Sequence, residues 1–156
     1  MAIEVEARVV VARKVEDVFH EAAGVTENLA RFFKGYGGLI PGIVSASLDG
    51  DGVMRPGALR TVKLSDGSVI KERVTRFEAP RVHAYDMAEM NALQRLICTN
   101  MISEWTFADE GGATRVVWHY SILPRSAVMT PVAWLVSRLF ERAMQRCLDN
   151  LAAAVR

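Results

Sequence analysis

The 156-residue chain has few cysteines, no excess of charge of either sign and no long apolar run. Its two cysteines, Cys98 and Cys147, lack the CxxC spacing of a zinc site and are too few for a disulfide framework. Nineteen Lys and Arg residues balance eighteen Asp and Glu residues, which excludes the basic surface of a nucleic-acid-binding protein. We therefore expect no metal, no cofactor and no nucleic acid partner, and a reducing, cytoplasmic location.

Targeting and membrane-spanning segments are also lacking. Residues 1–14 alternate charged and apolar side chains, whereas a signal peptide needs an unbroken apolar run. The longest weakly charged stretch, Ser126–Ser137, contains Pro131 and is too short to cross a bilayer. GxSxG, Walker and dinucleotide-binding motifs are missing as well. With 51% hydrophobic and 24% charged residues, the composition predicts one soluble domain over residues 1–156, without integral membrane association.

The chain does contain apolar residues at spacings that predict strands and helices in a definite order. Alternation over residues 3–11 predicts a strand, and the helical spacing of Val15, Val18, Phe19 and Ala22 predicts a short helix. A second short helical turn is expected at residues 28–33. From Val136 through Ala154 the apolar residues again recur every three or four positions, which predicts a long C-terminal helix.

Between these helical segments, turn signals separate runs rich in β-branched and aromatic residues. They predict six further strands, each joined to the next by a hairpin, at residues 43–48, 57–64, 69–78, 81–88, 93–107 and 113–123. The whole pattern predicts an α+β fold. A seven-stranded curved antiparallel sheet wraps around the long C-terminal helix, with two short helices between strands 1 and 2. Such an arrangement leaves a cavity between the sheet and the helix.

An ion pair is predicted inside this cavity. If residues 65–67 form a three-residue hairpin turn, with Gly67 at positive φ, then Arg60 lies opposite Glu72 on the neighbouring strand. The same sheet face carries four apolar residues, Val62, Leu64, Ile70 and Val74. The pair is therefore expected to face the interior. The alternative is a solvated cross-strand pair on the outer surface.

The last hairpin supplies an aromatic face. Pairing Phe107 with Thr114 puts Ser103 beside Trp118 and Met101 beside Tyr120. Each large side chain on this face, taken alone, is explained by core packing. As a set they predict more, because the polar tips of Trp and Tyr need hydrogen-bond partners and the same concave surface supplies them. The result is a hydrophobic cavity with a few polar groups.

Four segments resemble a known superfamily: GALRTVKL at residues 57–64, KERV at 71–74, TRVVWHYSILP at 114–124 and CLDNLAAAV at 147–155. They are similar to the Bet v 1-like or START-like (SRPBCC) helix-grip superfamily, in particular its bacterial polyketide cyclase/dehydrase and lipid-transport group. Resemblance to the plant hormone-receptor branch implies that seven residues line the pocket, namely Glu72, Tyr85, Met87, Met101, Ser103, Trp118 and Tyr120. The gate and latch loops of that branch are not recognisable here, so its mechanism is not expected.

The first hypothesis for function is therefore binding of a small hydrophobic molecule, such as a lipid, a polyketide or an aromatic metabolite. The predicted ligand-binding residues are Arg60, Val62, Glu72, Val74, Tyr85, Met87, Met101, Ser103, Trp105, Trp118, Tyr120, Leu139, Phe140, Ala143 and Cys147. The second hypothesis is a cyclase or dehydratase in which Glu72, paired with Arg60, moves a proton in the same cavity. No residue is singled out as catalytic.

A third hypothesis is an interaction module without a ligand, working as a monomer or a homodimer. Residues 127–140 contain Val132, Trp134 and Leu135, which are too apolar for a fully exposed helix start. A membrane surface or a second copy of the chain would cover them. The preferred interpretation is that they close the mouth of the cavity beside the glycine-rich residues 35–38.

Overall fold

The computed structural model describes residues 1–156. Its seven strands are β1 (Ile3–Val11), β2 (Ile43–Leu48), β3 (Leu59–Leu64), β4 (Val69–Glu78), β5 (Val82–Glu89), β6 (Cys98–Glu110) and β7 (Ala113–Pro124). Its four α-helices are α1 (Val15–Phe19), α2 (Leu29–Phe32), α3 (Ala92–Ile97) and α4 (Thr130–Val155). A π-helical turn (His20–Gly24) continues α1, and a 3₁₀ turn (Thr26–Asn28) precedes α2.

All seven strands form one antiparallel sheet in the order β1-β7-β6-β5-β4-β3-β2. Bulges interrupt the pairing in β2, β4 and β6, and such irregularities bend a sheet. The concave face holds the core, and α4 lies against it. This is the predicted helix-grip fold, with short helices between the first two strands as expected.

Helix α4 also protects the free edge of β1. The carboxylate of Glu141 accepts a hydrogen bond from the backbone N–H of Glu6 at 3.0 Å. Gln145 accepts from the N–H of Arg8 at 3.2 Å and donates to its carbonyl at 2.9 Å. Two helix side chains thus satisfy backbone groups that an edge strand would leave open to another chain. No helix of the structure combines the length and apolarity needed to span a bilayer.

The β3–β4 hairpin has the predicted register. The N–H of Leu64 donates to the carbonyl of Ser68 at 2.9 Å, and Arg60 lies opposite Glu72. Gly67 at the turn has φ of 88°, a conformation that only glycine adopts without strain. The prediction that the ion pair faces inward is confirmed, because both residues are buried.

The predicted register of the last hairpin is wrong. Phe107 lies opposite Val116, two positions along from the expected Thr114. The cause is a tight turn at Gly111 and Gly112, whose φ values of 64° and 93° suit a two-residue hairpin loop. Because side chains alternate with a period of two, this shift leaves every residue on its predicted face.

One predicted connection is also wrong. Residues 92–97, expected at the start of a strand, form α3, and this helix separates β5 from β6. The side chain of Asn91 accepts a hydrogen bond from the N–H of Gln94, and Gln94 accepts one in return from the N–H of Asn91. This capping box fixes the start of the helix. As predicted, β2 and β3 are antiparallel neighbours, and the loop that joins them spans residues 49–58.

Candidate functional site

A cavity of about 480 Å³ lies between the concave face of the sheet and the N-terminal half of α4. Of its 29 lining residues, 23 are hydrophobic. Strands β3 to β7 form one wall, α4 forms the opposite wall, and α2, α3 and the segment Lys34–Gly42 surround the opening. This volume and composition are typical of sites that enclose a small apolar molecule.

Aromatic side chains fill the other end of the concave face. Phe19 of α1 lies 5.0 Å from the ring of Phe107 and 5.2 Å from that of Phe77, measured between ring centroids. Trp105 stacks against Trp118 with centroids 4.3 Å apart. This aromatic packing occupies the space beneath the first half of β7, so the cavity extends only along the part of the sheet nearer to α3.

The packing divides the predicted ligand-binding residues into two groups. Those that line the cavity are Val62, Glu72, Tyr85, Met87, Met101, Trp118, Tyr120, Leu139 and Phe140. Those that are buried in the core outside the cavity are Arg60, Val74, Ser103, Trp105, Ala143 and Cys147. The alternation of the strands places both groups on the concave face, but alternation does not tell where that face is filled and where it is open.

Of the residues expected to close the mouth of the cavity, Val132 and Leu135 line it and Trp134 does not. The remaining residues around the opening were not predicted. These are Leu29, Phe33, Leu39, Ile40 and Pro41 from α2 and the following segment, Asn91, Leu93, Gln94 and Ile97 from α3 and its cap, and Val136 and Ser137 from α4. The spacing of Asn91 and Gln94 was the available signal, since it is that of a capping box. An α3 recognised from that signal would have placed its apolar residues at the opening.

A glycine-dependent turn holds the segment Lys34–Gly42 over the cavity. The N–H of Tyr36 donates to the carbonyl of Ile40 at 2.9 Å, which closes the turn. Gly35 has φ of 78°, and a Cβ atom there would lie 2.1 Å from the same carbonyl oxygen. Only glycine fits at this position. The turn therefore holds Leu39 and Ile40 at the opening.

The polar centre of the cavity is a buried ion pair. Oε1 of Glu72 accepts a hydrogen bond from Nε of Arg60 at 2.8 Å and lies 2.6 Å from Nη2 of the same guanidinium. The guanidinium lies over the ring of Tyr85, 4.6 Å from its centroid. Glu72 lines the cavity, whereas Arg60 lies behind it. The Oε2 atom of Glu72 accepts no hydrogen bond from the protein, so it is available as an acceptor on the cavity side.

Burial sets the charge states around this pair. Burial opposes the charge on Arg60, but Glu72, Tyr85 and Tyr120 together outweigh burial and raise the pKa of the guanidinium. Burial, together with the nearby positive charge of Arg60, lowers the pKa of His83 to about 3. Burial also raises the pKa of Tyr85 and of Tyr120, the latter well above its usual value. At neutral pH the site thus holds one salt bridge among neutral groups.

Trp118 has the hydrogen-bond partner that the sequence analysis expected on the concave face. Its indole N–H donates to Oγ of Ser103 at 2.8 Å, and both residues are buried. Tyr120 continues the wall toward α4, with its ring centroid 4.9 Å from that of Phe140. These contacts fix the aromatic rings, so this wall is rigid.

A second depression, of about 830 Å³, lies outside the cavity between the segment Lys34–Gly42 and the C-terminal half of α4. It is wide open, and only three of its 14 lining residues are hydrophobic. Arg146 of α4 lies over the ring of Tyr36 at its edge. Despite its larger volume, this polar surface is less suited than the cavity to enclose an apolar molecule.

Comparison with known families identifies the family to which the chain belongs. The family model described as "Polyketide cyclase / dehydrase and lipid transport" matches residues 2–156. The chain belongs to this family. The family name covers both hypotheses that the sequence suggested, an enzyme and a carrier of hydrophobic molecules. Among curated proteins, none is similar enough in sequence to count as a match.

Solved structures show the same fold as this member of the polyketide cyclase/dehydrase and lipid transport family. The protein XoxI from Bacillus cereus is 22% identical, with a TM-score of 0.72 over 99% of this chain and 96% of that one. Major latex-like protein 151 from Panax ginseng is 13% identical, with a TM-score of 0.72 over 99% and 97%. The predicted Bet v 1-like, START-like resemblance is confirmed.

A third similar structure is the di-domain ARO/CYC protein StfQ of the steffimycin biosynthetic pathway. It is 10% identical, and the match has a TM-score of 0.74 over 99% of this chain and 51% of that one. The chain thus corresponds to about half of the di-domain protein. At these identities the three structures establish the shared fold alone.

Proposed function

We propose that this protein binds a small hydrophobic molecule, such as a lipid, a polyketide or an aromatic metabolite, in the cavity between the sheet and α4. The observation that carries the proposal is the cavity itself, about 480 Å³ with 23 hydrophobic residues among the 29 that line it. Transfer of apolar surface from water into such a space is favourable by roughly 25 cal/mol per Å². The family description, which includes lipid transport and polyketide cyclases, supports the same class of ligand.

The wall of the cavity combines rigid and adaptable parts. Trp118 and Tyr120 are fixed by their contacts on β7 and α4. Met87 and Met101 line the facing strands, and their flexible thioether side chains adjust to the shape of a ligand. We infer that the site accepts a class of related molecules of similar length and does not require one exact shape.

The ion pair orients the polar end of the ligand. Because Arg60 neutralises Glu72, a second charge at this point would be buried without a partner, which is costly. The free Oε2 atom of Glu72 instead suits a neutral group that donates a hydrogen bond, such as a hydroxyl or an aromatic amine. Phenol hydroxyls of Tyr85 and Tyr120 line the same region.

We place this activity in the cytoplasm. Cys98 and Cys147 are both buried and unpaired, and burial raises the pKa of each thiol. Free thiols of this kind are stable in a reducing compartment.

The test is native mass spectrometry of the protein purified from its own host, followed by organic extraction and identification of the released molecules. We expect one hydrophobic molecule per chain, carrying a hydroxyl or amino group. A protein that carries no such molecule, and that also fails to retain any when mixed with the lipid extract of the same host, would overturn the proposal.

A second candidate function is a cyclisation or dehydration reaction in the same cavity. The observation that favours it is the Glu72 carboxylate, which faces the cavity and can take a proton from a bound molecule. Incubation with a synthetic linear poly-β-ketone thioester tests this function. Formation of a cyclised product by the wild-type protein, but not by the Glu72→Gln variant, would favour the enzyme. Binding of the thioester without conversion would favour the carrier.

A further inference from the structure

Large apolar side chains protrude around the opening of the cavity. We define the rim as Leu39 of the turn at the opening, Leu93 and Leu96 of α3, and Val132 and Leu135 of α4. Their exposed fractions are 69%, 61%, 59%, 44% and 57% in that order. All except Leu96 also line the cavity. Leu96 follows Leu93 by three residues and so lies on the same face of α3.

Three separate segments of the chain contribute to the rim, so it is a continuous surface and not one stray side chain. Helix α3 lies beside the start of α4, because the guanidinium of Arg125, just before α4, donates to the carbonyls of Arg95 and Cys98. Scattered single apolar residues on a surface need no explanation, but a cluster around a cavity opening indicates contact with another apolar phase.

The three chain segments that carry the rim contain charge of one sign only. Residues 34–42, 90–103 and 124–140, which carry the rim, include four basic residues and no acidic one, whereas the remaining chain has 15 basic and 18 acidic residues. Lys34, Arg95 and Arg125 form no ion pair in the structure. Asp66, on the β3–β4 turn, and Glu72, inside the cavity, are the carboxylates among the lining residues. The rim is therefore apolar and flanked by unpaired positive charge.

We propose that the rim docks on the surface of an anionic lipid bilayer. Protruding leucines flanked by Arg and Lys are the arrangement that inserts into the headgroup region, where the side chains enter the acyl boundary and the cations meet lipid phosphates. A folded protein partner would need complementary hollows for five protruding side chains, whereas a bilayer accepts them without any. Docking in this way would place the opening of the cavity against the membrane.

The test is co-flotation of the full-length protein with vesicles of phosphatidylcholine, with and without phosphatidylglycerol as the anionic lipid. We expect the protein to float with the anionic vesicles, more weakly with neutral ones, and less as salt is added. The Leu93→Ser/Leu135→Ser variant should bind at least about tenfold more weakly. Arg95→Gln should bind anionic vesicles several-fold more weakly and lose part of the salt dependence.

The matched control is Val10→Ser/Ile102→Ser, which removes two exposed apolar side chains from the convex face of the sheet. It should float like the wild type, and all variants should keep the wild-type near-ultraviolet circular dichroism. Three results would overturn the proposal. The first is a wild-type protein that floats with neither vesicle, and the second is a rim variant that floats as well as the wild type. The third is a dimer, seen by sedimentation velocity, that the rim substitutions dissociate, since a second copy would then cover the rim.

Discussion

Arg60 and Glu72 face each other across β3 and β4, and Nη2 of the arginine lies 2.6 Å from Oε1 of the glutamate. Both side chains are almost fully shielded from solvent, with exposed fractions of 2% and 8%. Each residue makes the burial of the other possible, because an unpaired charge at either position would lack compensation. The pair therefore links the stability of the sheet to the polarity of the cavity.

This coupling predicts an asymmetry between single and double substitution. Glu72→Leu leaves a buried guanidinium without its partner and should lower the free energy of unfolding by about 3–5 kcal/mol. The double variant Arg60→Met/Glu72→Leu removes both charges and should be more stable than Glu72→Leu alone. Urea unfolding of the wild type, the two single variants Glu72→Leu and Arg60→Met, and the double variant measures the difference. If the two single losses simply add in the double variant, the side chains do not depend on each other.

Ser103 is predicted to stabilise the fold through Trp118. Replacing it by alanine leaves the buried indole N–H without an acceptor, which should cost about 1–3 kcal/mol in the free energy of unfolding. Ser47→Ala, on the exposed surface of β2, is the control and should change stability by less than about 0.5 kcal/mol. Equal urea midpoints for the two variants would show that the Ser103 hydrogen bond contributes nothing.

Because His83 is buried and neutral, we predict that the protein loses stability in mild acid. Its pKa is about 3 in the folded protein, below the ordinary value of 6.5, so the unfolded chain takes up a proton that the folded protein does not. Above pH 6.5 the neutral imidazole makes its full contribution to the free energy of unfolding. This contribution declines as the pH falls from 6.5 toward 3, by up to about 1.4 kcal/mol per pH unit.

The measurement is urea unfolding across a pH series from neutral to about pH 5, which stays above the range where carboxylates titrate. Over this range the free energy of unfolding of the wild type should fall by on the order of 2 kcal/mol more than that of His83→Gln. His20 and His119 are present in both proteins, so their contribution cancels. Parallel curves for the two proteins would show that His83 is charged in the folded state.

Short-range patterns were sufficient to predict most of the fold. The turn at residues 65–67 contains a glycine that fixes one hairpin register, and the inward position of Arg60 and Glu72 followed from it. In the last hairpin the turn at Gly111 and Gly112 was assigned too many residues, which changed every partner but no face. A register error of two residues does not change which face of the sheet a side chain lies on, because side chains alternate between the faces with a period of two.

The extent of the cavity could not be predicted in the same way. Val62 and Val74 lie on the same face of the sheet, yet only Val62 lines the cavity. The difference depends on tertiary packing, since Phe19, Phe77 and Phe107 fill one end of the concave face. Helix α3 was missed because four apolar residues in six fit a strand as well as a helix, and its capping residues were the deciding signal.

The central claim is that a hydrophobic molecule binds in the cavity between the sheet and α4. The most direct measurement is a fluorescence titration with N-phenyl-1-naphthylamine, a neutral apolar probe with one N–H donor. Met87→Trp puts a bulky ring into the cavity, whereas Met54→Trp makes the same change outside it. Circular dichroism establishes that both variants are folded.

We predict saturable binding of about one probe molecule per chain to the wild type and to Met54→Trp. Binding to Met87→Trp should be at least about tenfold weaker, because the ring occupies the space that the probe needs. Equal affinity of all three proteins for the probe, or no saturable binding to the wild type, would contradict the account.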